Sequence, residues 1–151
     1  MAISSTAIMS QSVLFLRDLI IANVTDPIPS RATNEKLCYT SYPDRPVTYP
    51  IITVKCENMN QNIRMGMRAE ADYNELNFEI RVWALNEKQK DTMTDDVYTV
   101  LRQKQFDSGD GTIDNELFGF SLLSIENIDE KGPSGIKSKA MRIKYNAFGL
   151  G

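Results

Sequence analysis

Histidine is missing altogether from the 151 residues. Its absence removes Ser-His-Asp and Cys-His nucleophilic sites, His-containing zinc centres and imidazole acid–base chemistry together. Cysteine occurs only twice, at Cys38 and Cys56, too few for a four-thiolate zinc site. The pair could form one disulfide or remain as two packed thiols. A chain this long buries a core without covalent staples, which favours two reduced thiols in a cytosolic setting. Long apolar runs are also lacking. The greasiest stretch, Val13 to Leu16, is broken by Arg17-Asp18 before it resumes at Leu19, and a bilayer span needs about 20 apolar residues in succession. The N-terminal MAISSTAIMSQS carries none of the basic residues of a secretory signal. Nor is there a basic excess: 17 Lys and Arg stand against 20 Asp and Glu, a net charge of −3. Holding a nucleic-acid backbone by bulk charge is thereby excluded. Repeats, low-complexity tracts and linkers are absent too, so residues 1–151 read as one domain.

What is present is an ordinary globular composition, 42% hydrophobic and 25% charged. Ser4 to Thr6 offer N-caps for a helix over about 6–23. Ile8, Met9, Val13, Leu16, Leu19, Ile20 and Val24 follow helical spacing, and Leu14, Phe15 and Ile21 widen the apolar face. So greasy a helix needs cover from its own sheet or from another subunit. Pro27 and Pro29 end it. Residues 36–42 read as a short strand and Tyr49 to Cys56 as a second, with Pro50 at its start. Glu57 to Asn62 reads as a polar break. Ile63, Met65 and Met67 then alternate with Arg64, Gly66 and Arg68, the outgoing arm of a hairpin whose turn falls near 69–74.

The returning arm has the cleanest period-two pattern: Leu76, Phe78, Ile80, Val82 and Ala84 against Glu75, Asn77, Glu79, Arg81 and Trp83. This predicts Phe78, Ile80 and Val82 on the core face, with Glu79 and Arg81 on the other. Asn86 and Gln89 form a capping-box start for a second helix, lined by Met93, Val97, Val100 and Leu101 and ending near Gln105. After a glycine-rich loop come strands over about 117–127 and 136–147, joined by a strong turn at 129–135. The class is α+β: a mainly antiparallel sheet of four to six strands, two helices on one face and a long β-hairpin in the middle.

Chemistry is hard to place on this chain. The loop at 107–116 carries Asp107, Asp110, Asp114 and Glu116, but glycines occupy the ligand positions of a calcium loop counted from Asp107. Gly109 and Gly111 match neither a P-loop nor a dinucleotide turn, and Gly119 inside a strand suggests a bulge. Asp95-Asp96 and Asp129-Glu130 fall on a solvent face and a turn, not in the apolar surroundings that tune a catalytic carboxyl. The reading is of a protein that is not an enzyme, with no cofactor and no metal. The arm bearing Arg64, Met65, Met67 and Arg68 is either a hairpin packed on its own sheet or a contact arm for another subunit, since Met and Arg suit interfaces. Lys137, Lys139, Arg142 and Lys144 suggest a protected edge strand at 136–147.

Three stretches carry a resemblance: Tyr-Pro-Ile-Ile-Thr-Val at 49–54, Glu-Leu-Asn-Phe-Glu-Ile-Arg-Val-Trp-Ala at 75–84 running into a helix with Asp91-Thr-Met-Thr-Asp-Asp-Val-Tyr, and Ile125-Glu-Asn-Ile-Asp-Glu-Lys-Gly. With the greasy first helix, this order resembles the tail terminator (tail-to-head joining, tail completion) proteins of long-tailed bacteriophages, over about residues 36–147. The resemblance implies a hexameric ring in the virion, assembled in the host cytoplasm. Such a ring caps the head-proximal end of the tail tube, stops its polymerisation and meets the head connector. It transfers no catalytic residue. DNA would pass through the lumen without specific binding, so the wall should be neutral or acidic. Asp107, Asp110 and Asp114 are candidates for that wall, or else for a turn on the outer rim. Other neck or tail roles, such as head-closure or tail tube subunit, stay open. So do a small ligand-binding or regulatory module and an enzyme with a carboxylate or lysine site.

Overall fold

The computed structural model describes residues 7–28, 30–31, 35–43, 47–65, 71–107, 112–113, 117–128 and 136–150. Helix α1 spans Ile8–Asn23. Ala7 stands at its N-cap with no side-chain cap, and the expected caps at 4–6 lie outside the described residues. The helix stops where Val24 turns extended, its N–H still reaching the Ile20 carbonyl at 2.9 Å. Asn23 Nδ2 donates to the Leu19 carbonyl at 2.8 Å, folding the side chain back onto the last turn.

Six strands form one sheet in the order β1-β2-β3-β6-β5-β4: β1 Cys38–Tyr39, β2 Ile51–Met65, β3 Ala71–Ala84, β4 Thr112–Ile113, β5 Leu117–Ile128 and β6 Lys137–Leu150. Every pairing is antiparallel except that of β1 with β2. Helix α2, Glu87–Asp107, follows β3. Its start is as read: Asn86 Oδ1 accepts the Gln89 N–H at 2.8 Å. Met93, Val97 and Leu101 are buried along it.

The α+β class and the long central hairpin are as the sequence implies, but the strand plan differs in four places. The expected strand at 36–42 shrinks to Cys38–Tyr39, since the Tyr39 hydroxyl takes the Lys36 N–H at 2.9 Å and folds that segment on itself. The polar break at 57–62 is not a break. The strand runs through it with register shifts between Cys56 and Asn58 and between Gln61 and Ile63. Each shift puts an extra residue into β2 and erases the alternation that marks a strand. Asn77 Nδ2 donating to Asn58 Oδ1 at 2.6 Å ties the polar stretch to β3. The hairpin turn therefore falls before Ala71, earlier than the alternation suggested. Strand β4 was not legible at all. Finally, β6 is no edge: it lies between β3 and β5. Its basic residues answer carboxylates rather than guard an edge, Lys139 meeting Asp91 at 2.7 Å and Lys144 meeting Glu75 at 3.8 Å.

One hydrophobic cluster joins Phe15, Leu16, Leu19 and Ile20 of α1, Met93, Val97 and Leu101 of α2, and alternate residues of the sheet, among them Ile52, Val54, Leu76, Phe78, Ile80, Met141, Ile143 and Tyr145. Both helices therefore cover the same sheet face. Phe78, Ile80 and Val82 are buried on it, and Glu79 and Arg81 lie on the opposite face, as the alternation requires. Lys90 was unforeseen: its stem crosses the apolar layer and its Nζ donates to Glu87 Oε2 at 2.6 Å and Asn127 Oδ1 at 2.9 Å, fastening α2 to β5.

Candidate assembly surface

The four residues read as a contact arm are divided by the structure. Arg64 and Met65 close β2, paired with Asp72 and Ala71 of β3, while Met67 and Arg68 lie outside the described residues. Of the three expected channel aspartates, Asp107 is the last residue of α2. Asp110 and Asp114 lie outside the described residues. The turn bearing Asp129-Glu130 does too, whereas Asp95 and Asp96 are exposed on α2.

The sheet face away from the helices is densely charged. Lys55, Arg81, Arg142 and Lys144 face Glu57, Glu75, Glu79 and Glu126, four cations against four carboxylates. Register explains the match: Lys55, Glu79, Arg142 and Ser124 form one row across four strands. Arg142 gathers Glu57 at 3.4 Å, Glu79 at 3.6 Å and Glu126. At one end of this face, Trp83 Nε1 donates to Thr53 Oγ1 at 3.1 Å, Arg81 stacks 4.7 Å from the Trp83 ring, and Tyr42 meets that ring edge-on at 4.8 Å. These contacts tie the ends of β2 and β3 to the segment carrying Tyr42.

The sheet's flanks differ from its face. Among the described residues, β1 pairs with β2 at Ile52 and Thr53 alone, and β4 with β5 at Leu117 and Phe118 alone. Beyond those contacts Lys55 and Glu57 to Asn60 are exposed on β2, as are Leu122, Leu123, Ile125, Glu126 and Asn127 on β5. Leu123 is 55% exposed, and Leu122, Ile125 and Met59 are each 38% exposed. These apolar side chains stand beside strand backbone, the usual template for adding another strand.

Neither cysteine is an activated nucleophile. Burial pushes the Cys38 thiol up to about 12 and raises the half-buried Cys56 as well, opposite to the lowered thiol pKa of a reactive cysteine. Neither thiol is in a disulfide, and Cys56 Sγ donates to the Asn58 carbonyl at 3.5 Å. Among the described residues, no group of three acidic or cysteine side chains could hold a metal ion. A cavity of about 330 Å³ opens between Thr25, Pro27 and the first turns of α2, near Asn86, Gln89 and Met93.

Compared with known families and with curated proteins, the sequence matches no family model and no curated relative.

Proposed function

We propose that this chain is a structural subunit of a phage tail terminator, six copies of which form a ring that caps the tail tube, halts its growth and meets the head connector. The observation that carries the reading is the β2–β3 hairpin. Its strands run 15 and 14 residues; β3 is held by β6 from Ala71 to Ala84, whereas the outer strand β2 passes from buried Ile51, Ile52 and Val54 to exposed Glu57 to Asn60. The outer side of β2 beyond Thr53 thus offers backbone and polar side chains to a neighbour. Met9 and Ile21, exposed on α1 at 41% and 39%, add apolar surface for contact.

The charged sheet face supports passage of DNA over it. Lys55, Arg81, Arg142 and Lys144 each have a carboxylate oxygen within 3.9 Å, so a phosphate would have to displace a carboxylate to gain a cation. This face is a candidate wall beside Asp107, Asp110 and Asp114. The test is mass in solution with negative-stain imaging of the purified protein. A closed ring of six 17.1 kDa copies is expected. Removing residues 66–70, which link β2 to β3 in the chain, should leave a folded chain that no longer assembles. A second reading, a ligand-binding module, draws on the cavity beside Thr25 and Pro27; a compact dimer that binds a small molecule there and never forms rings would favour it.

A further inference from the structure

The two flanks of the sheet are complementary to each other. β2 is antiparallel to β3, β3 to β6, and β6 to β5. It follows that β5 runs opposite to β2. If a second copy is set beside the first with its helices on the same side, its β2 meets the first copy's β5 antiparallel, and the up-down alternation continues without interruption.

From this we infer that the partner of the open β5 edge is the β2 edge of another copy of this chain. The inference rests on the proposed ring and names the contact that would build it. β5 bulges at Leu123, between Leu122 and Ser124, but it lacks the other devices that keep an edge from pairing: from Leu117 to Ile128 it has no lysine, arginine or proline, and Glu126 is its only charge. Its open stretch, Ser121 to Ile128, is uninterrupted by glycine and shows Leu122, Leu123 and Ile125 to solvent. The β2 edge presents Lys55 and the polar run Glu57 to Asn60, with Met59 exposed among them.

The levels of the two stretches add to the argument. Ser124 stands in the same row as Lys55, so the open part of β5 lies towards one end of the sheet. The open part of β2, beyond Thr53, lies towards the other. Full use of both edges therefore requires each copy to be shifted along the strands relative to the last. Closing strands into a cylinder requires such a stagger, and a contact between two different edges is the heterologous kind that generates rings. Pairing β5 with β5 would instead give a two-fold dimer and leave both β2 edges open.

The experiment uses single-cysteine variants of the whole chain in a Cys56→Ala background, where the remaining Cys38 is buried. Leu123→Cys marks the β5 edge and Asn60→Cys the β2 edge. With a bifunctional maleimide, neither single variant should cross-link to itself. Their mixture should give a covalent dimer, and the double variant a ladder of higher species. In parallel, Leu123→Lys with Ile125→Lys should abolish assembly while the far-ultraviolet circular dichroism stays that of the parent. A Leu123→Cys dimer on its own would overturn the inference in favour of β5–β5 pairing. A parent that stays monomeric throughout, or an Ile125→Lys and Leu123→Lys variant that still assembles, would also overturn it. Rings that form without cross-linking between these edges would leave the terminator reading standing and remove this contact. A cross-linked ladder from a protein that never caps tubes would do the reverse.

Discussion

Phe78→Ala is the most direct test of how the sheet holds its helices. Phe78 has no exposed surface. It sits between Cys56 of β2 and Ile143 of β6 in the central rows of the sheet, and its ring meets Tyr145 edge-on at a centroid distance of 6.4 Å. Truncating a buried phenylalanine costs roughly 3–5 kcal/mol, from lost transfer energy and the cavity left behind. The ring pair contributes about 0.5–1.5 kcal/mol of that. Relaxation should be small, because the neighbouring side chains are anchored on three hydrogen-bonded strands. A domain of this size unfolds about 2–4 °C lower for each kcal/mol lost, so the melting point should fall by roughly 6–20 °C. The assay is urea denaturation followed by circular dichroism, with Asp95→Ala on the exposed face of α2 as the control, expected within about 0.5 kcal/mol of the parent. The midpoint for Phe78→Ala should drop with an unchanged slope. A loss below about 1 kcal/mol, far under the range for a buried ring, would refute the register that puts Phe78 inward.

Three further outcomes follow from other parts of the molecule. Gly119 has φ +68°, and a Cβ there would stand 2.6 Å from Asn146 Nδ2; Gly119→Ala should cost about 1–2 kcal/mol from the left-handed backbone alone, and parent-like urea stability would sink the bulge assignment. Arg31 donates from Nε to Asp26 Oδ2 at 2.7 Å and from its two terminal nitrogens to the Thr48 and Pro50 carbonyls. Arg31→Lys loses the planar fork and should cost about 2–3 kcal/mol; an unchanged unfolding midpoint would show that the fork is dispensable. Burial raises the Cys38 pKa from its ordinary 9.0 to about 12 and raises that of Tyr145 too. The folded state then holds more protons than the unfolded one, so the stabilisation is complete below about pH 9 and is lost as pH rises towards about 12. A urea midpoint that stayed flat across that range would contradict it.

The parts of the fold that could be read from the sequence are those where one side of an element meets the core and the other does not. β3 shows this best: the inward set from Leu76 to Ala84 and the outward set from Glu75 to Trp83 follow directly from alternation. α2 was equally clear, because Asn86 caps it and Met93, Val97 and Leu101 repeat at helical spacing. β2 was misread beyond Cys56 because bulges break the period, and because a strand at the flank of a sheet, polar on its open side, need not alternate. The basic residues of β6 suggest an edge because a charged strand looks alike at an edge and inside a sheet; only the strand order, which sets Arg142 opposite Glu79 of β3, distinguishes the two. Lys90 was invisible because its buried stem and its partner Asn127 lie 37 residues apart. For the candidate surface, the sequence pointed to the hairpin arm, but the exposed side of β5 depended on strand order, which local pattern does not encode.

The position of β6 has a consequence for how the molecule comes to exist. It is the last element in chain order, yet it fills the middle of the sheet, pairing with β3 along Ala71 to Ala84 and with β5 along most of its length. Until it arrives, the hairpin of β2 and β3 has a long unsatisfied side, and β5 has no strand but the two-residue β4 to lie against. Synthesis therefore yields two fragments of a sheet that only the final strand can unite. Because contacts distant in sequence must form before the core closes, folding should be slow for the chain's size. In the meantime the β3 side is open to strands of other nascent chains. Removing β6 would thus do more than shorten the protein: it would leave a β2–β3 hairpin and a β5 strand with no strand pairing between them.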